Sequence, residues 1–296
     1  MNVRTLESDL ATPSTTEYLP VRTQFLIFTL FGDYVLQRGG KIWTSSLLHL
    51  LELLGVSERA MRSALSRMKR RGWIASQKYG RRSQYYLTPR GQALLERGQE
   101  RIFEPTFTDW DGQWHVVVYS LPERKRRRRH ALRKELLWLG FGRLAPGTWF
   151  SPHDRRDELN EFFVELGVEG YVDMFSGIYQ GPASAHDLVH RCWDLEGIAA
   201  QYHQFYNRFR SEYQECQTWQ IDGKMPDLEA CFVRRFWLTH EYQSFPFKDP
   251  NLPTSLLPPD WIGLVARDLF DNYHRLLGTY ANQYVDAVMN DGEPEA

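Results

Sequence analysis

The stretch from Ser57 to Leu87 constrains the fold of this chain more than any other. Between Glu58 and Arg70, at about 100° per residue, Ala60, Met61, Ala64, Leu65 and Met68 gather on one side of a helix. Arg59, Arg62, Ser63, Ser66 and Arg70 fall on the other, and Ser57 has the residue type of an N-cap. After Gly72 the helical spacing gives way to two β-type runs, Trp73-Ile74-Ala75 and Tyr85-Tyr86-Leu87. They flank the basic turn Lys78-Tyr79-Gly80-Arg81-Arg82, which predicts a hairpin. A helix that packs on one face and is cationic on the other is thus followed at once by a hairpin with a cationic tip.

The neighbouring segments give this pair a setting. Phe25, Phe28, Leu30, Phe31 and Val35 recur at helical spacing between Val21 and Val35, and Gly39-Gly40 stops that helix. Lys41-Ile42-Trp43 reads as a short strand, and Thr44 as the N-cap of a second helix through Leu47, Leu48, Leu50, Leu51 and Leu54 to Gly55. Thr88-Pro89 opens a further helix toward Ile102-Phe103, with proline at its tolerated first position. Helix, strand, helix, helix, hairpin is the order of a winged helix-turn-helix, expected over residues 21–104.

In that fold the third helix is the one that enters a major groove. Arg59, Arg62 and Arg70 supply long donors for base edges or phosphates, and Ser63 and Ser66 let the helix approach closely. Arg67 and Lys69 lie at the flanks of that face, placed for phosphates, and Lys78, Arg81 and Arg82 form a wing tip able to follow the backbone or enter the minor groove. Double-stranded DNA is the expected partner. The competing reading, a solvated arginine-rich helix, does not account for the helix and the basic hairpin occurring together.

With 296 residues the chain is long enough for more than one domain. Lys and Arg number 36 against 37 Asp and Glu, so affinity for a polyanion must come from local concentrations of charge. Pro105 to Gly112 reads as a linker. Trp114 to Tyr119 then reads as a buried strand, followed by a helix from about Arg124 to Leu139, a strand around Thr148-Trp149-Phe150, a helix from Asp157 to Leu166 and a strand from Tyr171 to Tyr179. This alternation predicts a ferredoxin-like α+β unit over 113–182. Long amphipathic stretches, Leu188 to Cys216, Leu228 to Tyr242 and Trp261 to Met289, predict an all-helical part over 183–290, broken by the proline-rich loop Phe245 to Pro259. The expected fold class is multidomain α+β.

Residues 1–20 carry Pro, Ser and Thr without an apolar core and read as a loose tail, and Phe25 to Phe31 is too short to span a bilayer. No signal peptide and no membrane span are expected. The three cysteines, Cys192, Cys216 and Cys231, form no C-x-x-C pair, which argues against structural zinc or a disulfide framework and fits a reducing cytoplasm. His186-Asp187-Leu188-Val189-His190 has the spacing of a zinc-protease helix but Asp where the catalytic Glu belongs, and no further ligand follows at the expected distance. There is no G-x-S-x-G and no Walker-type loop. No catalytic residue, metal site or cofactor is expected, and the chain does not read as an enzyme.

Several separated blocks resemble the PaaX family, repressors of phenylacetate catabolism. They are Leu30-Phe31-Gly32-Asp33-Tyr34, the run Val56 to Arg67, the run Tyr79 to Thr88, and Trp138-Leu139-Gly140-Phe141-Gly142. Cys192-Trp193-Asp194-Leu195, Asp249 to Pro253, Leu256-Leu257-Pro258 and Trp261 complete the set. The resemblance implies a homodimeric repressor with a winged helix, a central Cas2-like ferredoxin domain and a helical C-terminal domain, released from its operator by phenylacetyl-CoA or a similar acyl-CoA. In the block holding Arg235, Leu238 and His240, Gln243 stands where an Arg is expected. The Cas2 likeness also raises a metal-dependent nuclease as an alternative, but such nucleases close their first strand with Asp, and here Val118-Tyr119-Ser120 stands there. A winged-helix regulator with another effector is the other alternative.

A pocket for CoA needs cations for its phosphates beside an aromatic wall. The run Arg124 to Arg129 opens a helix directly after a strand, which would bring Arg124, Arg127 and Arg128 together with free backbone N–H groups. Trp149 and Trp193, with Trp110 and Trp114, are candidates for the wall. The plainer alternative is core packing for the tryptophans and a solvated or DNA-facing helix start for the arginines.

Overall fold

The computed structural model describes residues 23–103, 109–222 and 225–291. The tail expected at 1–20 and the first part of the expected linker lie outside the described residues. The chain forms two compact units, neither drawn from one continuous stretch. The first takes its described residues from 23–103, 205–243 and 265–291, and the second from 109–204 and 244–264.

In the first unit α1 (Thr23–Leu30) does not run on to Val35 as a regular helix. It widens into a π-helical turn, Phe31–Val35, and then tightens into a 3-10 turn, Leu36–Arg38. Gly39 and Gly40, at φ 81° and 72°, end it in a conformation that glycine adopts without strain. The π turn adds a residue to its coil, and Phe31, Asp33 and Tyr34 are all buried there. β1 (Lys41–Trp43), α2 (Thr44–Leu53), α3 (Glu58–Arg70), β2 (Ile74–Tyr79), β3 (Arg82–Leu87) and α4 (Pro89–Phe103) follow. The strands pair antiparallel in the order β1-β3-β2.

Thr44 is not the N-cap of α2. Trp43 holds that position without a side-chain bond, and the Thr44 hydroxyl donates to the Ser83 carbonyl at 2.9 Å, tying the helix start to β3 of the wing. The apolar sides of α2 and α3, through Leu47, Leu50, Leu51, Met61, Leu65 and Met68, enter one core with Trp73 and Ile74. Phe232 and Phe236 from α9 (Leu228–Tyr242), and Ala281 and Val285 from α10 (Ile262–Asp291), complete that core. The later part of α8 (Leu195–Asp222), from Phe205 on, belongs to the same unit.

The second unit runs β4 (Trp114–Tyr119), α5 (Arg126–Trp138), β5 (Gly142–Ala145), β6 (Thr148–Ser151), α6 (Arg156–Leu166), β7 (Val172–Gly177) and α7 (Ala185–Cys192). Its sheet, ordered β5-β6-β4-β7 and antiparallel throughout, with the β-α-β-β-α-β succession, is ferredoxin-like. Val117 and Trp149 point from the sheet into a core with Leu132 and Leu136 of α5 and Phe162 and Phe163 of α6. No helix among the described residues is long and apolar enough to cross a membrane.

Candidate nucleic-acid interface

α3 begins where Ser57 accepts a hydrogen bond from the Ala60 amide at 3.3 Å. Glu58 sits in its first turn and Arg67, Lys69 and Arg70 in its last, the polarity that complements the helix dipole. Met61, Ala64, Leu65 and Met68 are buried, whereas Arg59, Arg62, Ser63, Ser66, Arg67, Lys69 and Arg70 are all exposed. The apolar stripe fixes the roll of the helix, and that roll turns the arginines outward.

The exposed side chains differ in how freely they can reach. Arg62 donates to Glu58 at 2.7 Å and Arg67 to the Ser63 hydroxyl at 2.7 Å. Arg59 and Arg70 make no hydrogen bond or ion pair among the described residues. Lys69, a flanking residue from sequence, has a further structural part: its ammonium donates to the Ser76 hydroxyl on β2 at 2.7 Å and lies 5.8 Å from the Tyr85 ring. It links the end of α3 to the wing. Periodicity marks Lys69 as a flank but cannot supply its cross-element partner.

The wing closes through Gly80 and Arg81 between the paired Tyr79 and Arg82. Gly80 has φ 58° in the first turn position, where primed hairpin turns need a positive φ. Lys78, Arg81 and Arg82 are exposed around it, and Tyr79, at 45% exposure, leans edge-on against Trp43. The DNA-facing residues expected from sequence therefore form the open sides of two adjoining elements, with no carboxylate among them but Glu58.

The second cationic run behaves differently. β4 ends at Tyr119, a 3-10 turn occupies Glu123–Lys125, and α5 starts only at Arg126. Arg124 and Lys125, whose ammonium sits 3.9 Å from the Tyr171 ring, hold that phenol below its usual range. Arg128 donates to the Gly167 carbonyl at 2.8 Å, and Arg129 to Glu123 at 2.7 Å. Arg127 stays exposed without a partner among the described residues.

Nor do the tryptophans form one wall. Trp149 is 2% exposed in the core beneath α5 and α6. Trp193 stacks on Trp114 at 6.3 Å, covers Gly142 and donates its indole N–H to the Gly140 carbonyl at 3.2 Å. Trp110 leans on Trp114 and bonds to the Gln113 carbonyl. Arg124, Arg127, Arg128, Trp149 and Trp193 are thus not brought to one site.

Asp187 is consumed locally, its carboxylate accepting from the Ser184 amide at 3.0 Å and hydroxyl at 2.8 Å in a capping box, which lowers its pKa. Among the described residues no group of three or more His, Cys, Asp or Glu could hold a metal ion. Gln243, half-buried, accepts from the Thr29 hydroxyl at 3.1 Å and lies 2.7 Å from the His240 ring nitrogen, so its amide is engaged within the first unit.

Three family descriptions match successive parts of the chain: "PaaX-like protein" over residues 22–91, "PaaX protein central Cas2-like domain" over 108–189, and "PaaX-like protein C-terminal domain" over 193–287. The Escherichia coli (strain K12) protein called "Transcriptional repressor PaaX" is 33% identical over 270 residues, covering 90% of this chain and 84% of that protein. Among solved structures, "Uncharacterized protein Rv0674 from Mycobacterium tuberculosis" aligns with a TM-score of 0.59 at 24% identity, over 90% of this chain and 98% of that one, a likeness of fold. Across winged helix, central domain and helical part alike, the chain belongs to the PaaX family.

Proposed function

We infer that this chain is a sequence-specific DNA-binding repressor of transcription, a regulator and not an enzyme, acting in the cytoplasm. The observation that carries the reading is the outward cationic surface of α3 and the wing, on a chain 33% identical to a transcriptional repressor. Arg59, Arg62 and Arg70 read base edges with Ser63 and Ser66 permitting close approach, Arg67 holds phosphate, and Lys78, Arg81 and Arg82 hold the flanking backbone. A homodimer reads two half-sites in neighbouring major grooves.

Selection from a randomised duplex library tests this. Enrichment of a paired half-site motif is expected, and recovery of unenriched sequence overturns the reading.

The finer part rests on the family: the operon controlled serves aromatic, phenylacetate-type catabolism, and an aryl-CoA such as phenylacetyl-CoA relieves repression. The effector must bind the DNA-incompetent conformation more tightly, because a ligand shifts an equilibrium only by its differential affinity. Phenylacetyl-CoA added to the complex with the selected duplex should release the DNA, while phenylacetate or CoA alone should not. Retention of the complex removes the effector from the reading.

A further inference from the structure

We propose that the outward side of α5 in the ferredoxin-like unit is a second DNA-binding surface, one that holds the phosphate backbone flanking the operator. The proposal rests on the operator reading above and extends it to a different domain.

The arginine run is divided by the helix it enters. Leu132 and Leu136 point α5 into the core, and the cations on the inner half are spent within the unit: Arg124 and Lys125 on Tyr171, Arg128 on the Gly167 carbonyl, Arg129 on Glu123. At about 100° per residue, Arg126, Arg127, His130, Arg133 and Lys134 share an outward sector of about 120° with Leu137. That sector contains no carboxylate. Arg127, His130, Arg133 and Lys134 have no hydrogen bond or ion pair among the described residues, and Arg126 feels only the pull of Glu123. Arg126, Arg127 and His130 are exposed, Arg133 and Lys134 are half-buried, and Leu137 is 59% exposed.

The arrangement selects among anions. The charge runs along the side of the helix, with Arg126 and Lys134 about 12 Å apart along the axis. So extended a stripe would offer a single small phosphate ligand one or two side chains. A duplex presents phosphates at intervals of about 3.4 Å of axis along each strand, so a straight cationic stripe of this length reaches two or three of them. Net charge on the chain is −1, so this local excess is not a general property of the surface. No base-reading pattern is present, and the contact is one of backbone charge alone.

The test uses the full chain and two duplexes carrying the selected operator, one ending at the half-sites and one extended by about ten base pairs, a helical turn, on each side. Arg126→Ala/Arg133→Ala/Lys134→Ala should bind the short duplex like the wild type. On the long duplex it should bind at least tenfold more weakly at low salt, with the slope of log affinity against log salt flattened by about two. Arg126→Lys/Arg133→Lys should restore most of both, which a packing defect would not allow.

Equal slopes for triple variant and wild type on the long duplex assign the stripe to some other polyanion and overturn the proposal. Equal losses on both duplexes overturn the flank assignment. A wild type that binds neither duplex ends the operator reading itself, a distinguishable result.

Discussion

The carboxylate of Asp33 and the guanidinium of Arg235 meet at 3.3 Å with 5% and 7% of their side chains exposed. One belongs to the π-helical turn after α1, the other to α9, so the pair fastens the winged helix to a helix far along the chain. The Thr239 hydroxyl donates to Asp33 at 3.0 Å, and the His274 ring nitrogen lies 3.2 Å from its other oxygen. Burial alone would raise the Asp33 carboxyl, but Arg235, His274 and Thr239 together outweigh it and hold it below the usual range.

Breaking this pair from either side should be costly, because the surviving charge stays buried. Asp33→Asn and Arg235→Met are each expected to destabilise the fold by about 3–5 kcal/mol, with the double variant losing much less than the sum. Urea unfolding of the four proteins measures the coupling, and additive losses would show that the two groups act independently. Since Asp33 is depressed in the folded state, its contribution is present above an unfolded pKa of about 4 and fades as pH falls through the folded value.

His240 gives a second, separable pH effect. Stacked on Phe236 at 5.9 Å and half-buried on α9, it is pushed down to about 4 by desolvation. The unfolded chain binds a proton at about 6.5, so between those values the unfolded state holds more protons and stability rises with pH. The contribution is complete above about 6.5 and falls by about 3 kcal/mol as pH drops toward 4. Unfolding free energies across that window should show the slope in the wild type and a much shallower one in His240→Gln. Identical slopes would mean that the ring is not held neutral by burial.

Much of this was legible along the chain and some of it was not. The roll of α3 follows from Met61, Ala64, Leu65 and Met68, whose spacing also turns Arg59, Arg62 and Arg70 outward, because one helical period decides both. Ser57 was recognisable as a cap since its role is local. Thr44 misled because a hydroxyl at a helix start has two uses, and the Ser83 carbonyl that claims it comes from a strand formed later in the sequence. The short strand β5 gave too few alternating residues to show itself. The arginine run reads as one convergent cluster because its residues are adjacent in sequence, whereas a helix sends Arg127 and Arg129 to different sides. Arg235 could be singled out as part of a block, but its partner Asp33 could not be deduced from periodicity at such separation.

The hidden strand carries its own constraint. A Cβ on Gly142 would run into the Trp193 ring and the Cys192 side chain. Gly142→Val must push α7 off β5 or distort the strand, an overpacking cost of about 1–3 kcal/mol. A lowered thermal midpoint with altered Trp193 fluorescence is expected, and an unchanged midpoint would show that the contact can yield.

Glu58 is the one acid on the DNA-reading face, and its bond to Arg62 sets a competition. Both side chains are exposed, at 64% for Arg62 and 49% for Glu58, so the pair is worth less than about 1 kcal/mol in water. Near a phosphate backbone the same carboxylate repels the duplex and detains one of the donors. Arg70, which has no such partner among the described residues, meets DNA without first breaking a bond. Arg70→Ala is therefore expected to weaken operator binding by about 1–3 kcal/mol, and Glu58→Gln to strengthen it severalfold, with only a few tenths of a kcal/mol lost from α3 through its dipole. Titrations of both variants against the selected duplex at two salt concentrations separate the cases. If Glu58→Gln binds no more tightly while Arg70→Ala binds as well as the wild type, α3 does not face the groove, however basic its open side.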